Sequence, residues 1–268
     1  MQLKTLKPYK PSGKLSVSKL IWLPLVSVLG GATIGGIVHF ISLLVYLVIL
    51  FPLAIGFTGG LVTAFGVRLG KVRNPAVAML FALLTGLTIY GTMNVLAYSR
   101  FKQTVAREIE ETTGEPFTQG EVNEFIEVFL QEQVSDSGIV GYLKFRAKEG
   151  IGFRRRGASF NIGTTGTWIY WAIELALIEA MIVFLASSSA RNCFCEQCEQ
   201  WYDRQRIGSI QPHSSENFLS LLEGGQFNEA GKLVDPSQAV VVSGLELKQE
   251  NCLSCQDNDV FLNIETAY

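Results

Sequence analysis

The sequence predicts an all-α membrane protein: a bundle of about four transmembrane helices, with a small extramembrane α+β loop domain and a second small α+β domain at the C-terminal end. Three observations carry that expectation. Of 268 residues, 48% are hydrophobic and only 17% charged, with a mean hydropathy of +0.27, a balance too apolar for an ordinary soluble chain. The apolar residues are concentrated, because no Lys, Arg, Asp or Glu occurs from Leu20 to Val67. All five cysteines lie at or beyond Cys193, so the chemistry at that end differs from the rest.

A helix needs roughly 20 apolar residues to cross the hydrocarbon core. The run from Leu20 to Val67 therefore holds two spans, expected at 20–38 and 43–66, with a tight turn near His39 to Ser42. A third uncharged run covers Ala76 to Ser99, and a fourth lies at 166–188. The fourth opens with Trp168, Tyr170 and Trp171, residues that suit a membrane interface. The first span is too long, and too soon followed by another, for a cleaved signal peptide.

These spans divide the chain into a basic N-terminus (1–19), three spans (20–97), an extramembrane segment (98–165), the fourth span (166–188) and a C-terminal domain (189–268). Lys4, Lys7, Lys10, Lys14 and Lys19 precede the first span, and Arg68, Lys71 and Arg73 follow the second. Basic residues in short loops stay on the cytoplasmic side. Both termini are thus expected in the cytoplasm and 98–165 on the opposite face, although Arg154, Arg155 and Arg156 run against the rule there.

Glycines are dense in the first two spans, and small residues four apart, such as Gly31 and Gly35, let helix backbones approach closely in lipid. Pro52 is expected to kink the second span. Glu174 and Glu179 are the least expected residues, since each falls near the middle of the fourth span, where a carboxylate is costly. A spacing of five sets their side chains about 140° apart, so one paired-carboxylate site on a single face is not expected. Two readings follow: glutamates that tie helices together, or an ion or proton path with intramembrane His39 or Tyr46 as partner.

In 98–165, nine acidic and no basic residues occur from Glu108 to Asp136. Thr118 followed by Glu121 reads as a capping box. Val122, Phe125, Ile126, Phe129 and Leu130 then form one apolar stripe of a helix, leaving Glu121, Glu124 and Glu127 on a solvated face. Gly150 to Gly163 suggests a hairpin near the membrane, whose arginines suit either lipid phosphates or a solubilising turn.

Cys195 with Cys198, and Cys252 with Cys255, are two Cys-x-x-Cys pairs. That spacing lets two thiolates from one tight turn reach one tetrahedral ion, so the expected cofactor is a structural zinc ion held by those four cysteines, with Cys193 spare. His213 is a weaker substitute ligand. Between the pairs, Ser215 to Leu222 reads as a helix, while Ala239 to Leu247 and Val260 to Ile264 read as strands. This C-terminal part resembles a zinc ribbon with a helical insertion, although neither pair carries the glycine that such ribbons often have. The membrane part resembles multi-pass membrane proteins of prokaryotes without pointing to one family.

Zinc ribbons often bind nucleic acid, but residues 191–268 hold five Lys or Arg against twelve Asp or Glu, which opposes phosphate binding. Nucleic acid is therefore not an expected partner; membrane lipid and other proteins are. A redox role lacks the βαβ context of a thioredoxin-like motif. No catalytic constellation stands out, so the expectation is a non-enzymatic scaffold or assembly protein. The alternative is a small transporter, channel or membrane enzyme built on Glu174 and Glu179.

Overall fold

The computed structural model describes residues 9–15, 17–42, 50–114, 118–155, 158–236, 244–255 and 261–266. These form two compact units: Val17–Gly70 with Ala76–Ser188, and Met1–Ser16 with Lys71–Pro75 and Ser189–Tyr268.

The first unit contains four helices long and apolar enough to cross a membrane: Ser18–Ser42, Leu50–Leu69, Pro75–Thr113 and Gly163–Ala190. The first of these is irregular, with α1 (Val17–Leu20), α2 (Trp22–Leu25), a π turn at Val26–Gly30 and α3 (Gly31–Ser42). Pro24 explains the interruption, because it has no N–H to donate and its ring crowds the carbonyl four residues back, at Leu20. Helical geometry continues through Ser42, so the turn expected at His39 to Ser42 is not there; residues 43–49 lie outside the described residues. The kink expected at Pro52 borders the same stretch; in α4 (Leu50–Leu69) the proline sits in the first described turn.

Glycines set the helix spacing. A Cβ on Gly35 would lie 2.6 Å from the carbonyl oxygen of Ile89, and one on Gly31 would lie 3.1 Å from that of Thr85. This stripe therefore lies flush on α5 (Pro75–Thr113). On α4, a Cβ on Gly56 would meet the Cβ of Met181 at 2.8 Å, and one on Gly60 would meet that of Leu185 at 3.0 Å, which seats α8 (Gly163–Ala190). Between α4 and α5, the fully buried Thr63 donates from Oγ1 to Thr85 Oγ1 at 3.0 Å. Large apolar side chains point the other way: Phe40, Phe65, Leu80 and Phe184 are each more than half exposed. Small residues inside and bulky ones outside suit a lipid surround.

The helix that carries the third apolar run is longer than that run, because α5 continues through 98–113. At 1.5 Å per residue its 39 residues extend about 58 Å, roughly twice the hydrocarbon thickness. No Gly or Pro occurs between Gly91 and Gly114, so the charges from Arg100 onward mark a change of surroundings and not a break. Gly114, at φ +75°, ends it.

The projecting part of α5 supplies Tyr98, Phe101 and Val105 to a core with α6 (Gln119–Val134) and α7 (Gly138–Glu149), built on Val122, Ile126, Leu130 and Tyr142. The Phe101 ring stacks at 5.2 Å from Tyr142, and Phe129 at 5.3 Å from Phe145. The expected apolar stripe of α6 is narrower than the sequence suggests, since Phe125 is half exposed. The expected hairpin is present as β1 (Gly152–Arg155) paired antiparallel with β2 (Ala158–Asn161).

The second unit is a small α+β module. Its sheet has the order β5–β6–β7 (Asp203–Ile210, Leu245–Asn251, Phe261–Thr266), all antiparallel. Phe218 and Leu222 of α9 (Ser215–Glu223) and Ala230 of α10 (Phe227–Lys232) pack with Ile210, Leu245 and Leu247. The expected helix matches α9 closely. The expected strands at Ala239 to Leu247 and Val260 to Ile264 correspond to β6, described from Leu245, and β7, described from Phe261; 237–243 and 256–260 lie outside the described residues. The sheet's other face is an ion-pair ladder, with Arg204 at 2.6 Å from Glu250 and Lys248 at 2.6 Å from Glu265.

Candidate metal centre

Cys195 ends β3 (Phe194–Cys195), which pairs with β4 (Gln200–Trp201) as a minimal hairpin; Cys198 lies in its turn. Glu199, directly after Cys198, adopts a left-handed φ of +50°. Cys252 directly follows β6, and Cys255 lies in the next turn. The two turns face each other, so that all four sulfurs lie within 4.8 Å of one another.

Cys255 Sγ is 3.1 Å from Cys195 Sγ and 2.9 Å from Cys198 Sγ. No pair is bonded as a disulfide, and all five thiols are free. Four sulfurs this close suit a common tetrahedral ion, for which Zn–S bonds run about 2.3 Å. Burial pushes the Cys252 thiol up, but backbone hydrogen bonds from Ser254 and Cys255 and side-chain bonds from Cys195 and Cys255 outweigh it and bring it down to about 7. Cys198 and Cys255 shift the other way. A hydrogen bond with Cys255 lowers the Cys198 thiol, but burial and the hydrogen bonds with Cys252 and Cys195 outweigh it and raise it. Hydrogen bonds with Cys198 and Cys195 raise the Cys255 thiol, as expected of four sulfurs crowded together. The donor set is four sulfurs with no carboxylate or imidazole among them. The arrangement is compatible with a zinc-ribbon-like site.

Cys193 is not part of the cluster. It is buried, and burial, followed by the hydrogen bond and charge of Glu250, raises its thiol. His213 lies apart as well, in a single 3₁₀ turn at Pro212–Ser214.

The surroundings of the first knuckle include residues that the sequence marks only as topology signals. Arg73 is 8% exposed. Its guanidinium carbon lies 4.5 Å from the ring centroid of Phe194, and its Nη1 donates to Glu196 Oε2 at 2.5 Å. Lys14 Nζ approaches the same oxygen at 3.6 Å, and Lys71 Nζ lies 3.2 Å from Glu199 Oε2. Burial alone would raise the Glu196 carboxyl; hydrogen bonds from Ser12 and Arg73, and the charges of Arg73 and Lys14, hold it below the usual range. Nearby, Tyr9 meets Phe261 edge to face at 5.2 Å. The N-terminal segment, the 71–75 loop and the cysteine knuckles are therefore one structure. Sequence order alone carries no signal for that.

In the helical unit, Glu174 is 7% exposed and lies within electrostatic reach of Tyr90. Glu179 lies over Gly86, where a Cβ would meet its carboxyl at 2.5 Å. Both carboxylate oxygens of Glu179 are buried without a hydrogen-bond partner among the described residues. Despite their different headings, both glutamates meet α5, one turn apart. His39 is 8% exposed, with Arg100 as its charged neighbour. Tyr46 lies outside the described residues.

The chain matches no known protein family, no curated protein and no solved structure.

Proposed function

We propose that this chain is an integral membrane protein of four spans whose C-terminal module binds one structural zinc ion, and that it serves as a non-enzymatic scaffold or assembly factor for other proteins. The carrying observation is the convergence of Cys195, Cys198, Cys252 and Cys255 within 4.8 Å. Four thiolates complete a tetrahedral shell and leave no position for substrate, so the ion supports folding rather than catalysis. The module needs that support, because its apolar core is small. Both termini and the 71–75 loop are assigned to the cytoplasm, where thiols stay reduced; the flanking lysines and arginines support this side.

Metal analysis of the purified, reduced full chain tests the reading. One zinc per chain is expected, lost in Cys252→Ser and kept in Cys193→Ser. Protein partners that co-purify in mild detergent should be lost with Cys252→Ser only. Native protein free of zinc would overturn the metal assignment.

One observation favours a second reading. The Glu179 carboxyl lies in a membrane-spanning helix without a partner among the described residues, and such groups commonly mark ion or proton paths. In that reading the bundle is a small transporter or channel.

A further inference from the structure

The loop joining α4 to α5 is short, yet it is not a solvated turn at a membrane surface. Val72 is fully buried and Arg73 is 8% exposed, both within the unit that holds the cysteines. Desolvating a guanidinium is costly unless it is paired and hydrogen-bonded. The pairing comes from the first knuckle: Phe194 beneath the guanidinium and Glu196 at its edge, with Glu199 taking Lys71.

Those three residues cannot hold their positions without the knuckle. Glu196 lies between Cys195 and Cys198, and Glu199 directly follows them. Glu199 occupies a left-handed conformation that a non-glycine residue keeps only when its surroundings over-determine it. The hairpin carrying them has just two paired positions, Phe194 with Trp201 and Cys195 with Gln200, and a two-stranded ribbon is marginal by itself even when longer. The hydrogen bond from Tyr202 N–H to Cys193 O at 3.0 Å and the Phe194 ring edge-on to Trp201 extend it slightly; its largest tie to the rest of the unit is the convergence of Cys195 and Cys198 on Cys252 and Cys255. Lys71 is itself left-handed, at φ +48°, where the chain leaves α4, and its side chain is directed to Glu199.

We propose that the cysteine module is a metal-dependent clasp on the loop between α4 and α5. With the ion bound, Phe194, Glu196 and Glu199 are presented to Arg73 and Lys71 and the loop is held. When the ion leaves, the knuckle loses its shape, Arg73 returns to water, and the chain linking two spans is released. The clasp rests on the zinc reading above and gives the ion a consequence beyond folding its own module. Because coupling is reciprocal, releasing the loop must also weaken metal binding by the same factor that metal strengthens loop attachment.

The test uses the full chain in detergent micelles and the paired substitution Lys71→Gln with Arg73→Gln, which touches no cysteine. Two quantities are read: amide hydrogen exchange across residues 70–75, and the chelator concentration that removes half the zinc. In native protein the loop amides should be protected with zinc bound and lose protection on chelation. The variant should bind one zinc per chain, exchange rapidly in the loop with zinc present, and give up its zinc roughly five-fold more readily or beyond. Loop protection unchanged by chelation overturns the clasp while leaving the zinc site intact; so does a variant with native zinc affinity. Native protein without zinc overturns the underlying metal assignment instead, a result seen in the metal analysis before any exchange is measured. Glu196→Gln with Glu199→Gln provides the complementary check from the knuckle side: zinc retained and loop protection lost is expected, whereas both retained counts against the clasp.

Discussion

Gly86 has no side chain, and the carboxyl of Glu179 occupies the space that one would fill. The sequence makes both Glu174 and Glu179 visible, since a carboxylate within an apolar run is conspicuous, but it gives no hint that a glycine on another helix receives one of them. Glu179→Gln keeps the shape while removing the charge. If Glu179 only fills the site beside Gly86, the variant should assemble normally with unchanged thermal stability in detergent. If the bundle conducts protons or cations, the same variant in proteoliposomes should lose that flux with assembly intact, and such a loss would favour the transporter reading over the scaffold. Glu199 is a second residue whose role depends on its partners. It holds a left-handed position of the kind that favours glycine, yet its carboxylate pairs with Lys71, a use to which glycine has no access.

Among the elements, α5 was legible at its start and not at its end. Pro75 opens the helix where an N–H is not needed, and the apolar run identifies the span. Its continuation to Thr113 depends on burying Tyr98, Phe101 and Val105 against α6 and α7, contacts that no local pattern encodes. Capping is the opposite case. Thr118 and Glu121 form the box expected from their spacing, with Thr118 N–H donating to Glu121 Oε2 at 2.8 Å and Glu121 N–H donating to Thr118 Oγ1 at 3.4 Å. The backbone and side-chain hydrogen bonds from Thr118 hold the Glu121 carboxyl below its usual range. A group depressed in the folded state stabilises it above the unfolded value, about 4.3 for Glu, and that contribution disappears as pH falls through the folded value. Exchange protection in the first turn of α6 should therefore be flat near neutrality and decline below about pH 4, whereas Glu121→Gln should flatten that decline; equal declines in both proteins would remove the box as its cause. β5 escaped the sequence reading because Asp203, Arg204, Gln205 and Arg206 resemble a loop. It is a strand whose pairing is supported by charge: Arg204 stands opposite Glu250 on β6, and Arg206 reaches past its own partner Lys248 to Glu246 on the diagonal.

For the whole molecule, an even number of spans must separate segments that share one side of a membrane. Residues 9–15, the 71–75 loop and the cysteine module belong to one unit, in keeping with two spans between the first pair and two between the second. The proposed topology puts that unit in the cytoplasm and α6 outside. Single cysteines at Glu124 on α6 and Glu223 on α9, both exposed, separate the possibilities in intact cells. An impermeant maleimide should label Glu124→Cys and spare Glu223→Cys. The reverse pattern would invert the protein, and equal labelling would break the four-span arrangement. By itself the sequence determined the four apolar helices, the capped α6 and the paired cysteine spacing, because hydropathy, capping and knuckle geometry are set by neighbours a few residues apart. Only the tertiary structure decided that Cys195 and Cys198 meet Cys252 and Cys255, that Arg73 is seated on Phe194 and Glu196, and that Gly86 receives the carboxyl of Glu179. Those depend on residues far apart in the chain, brought together by burial and charge pairing that no local period records.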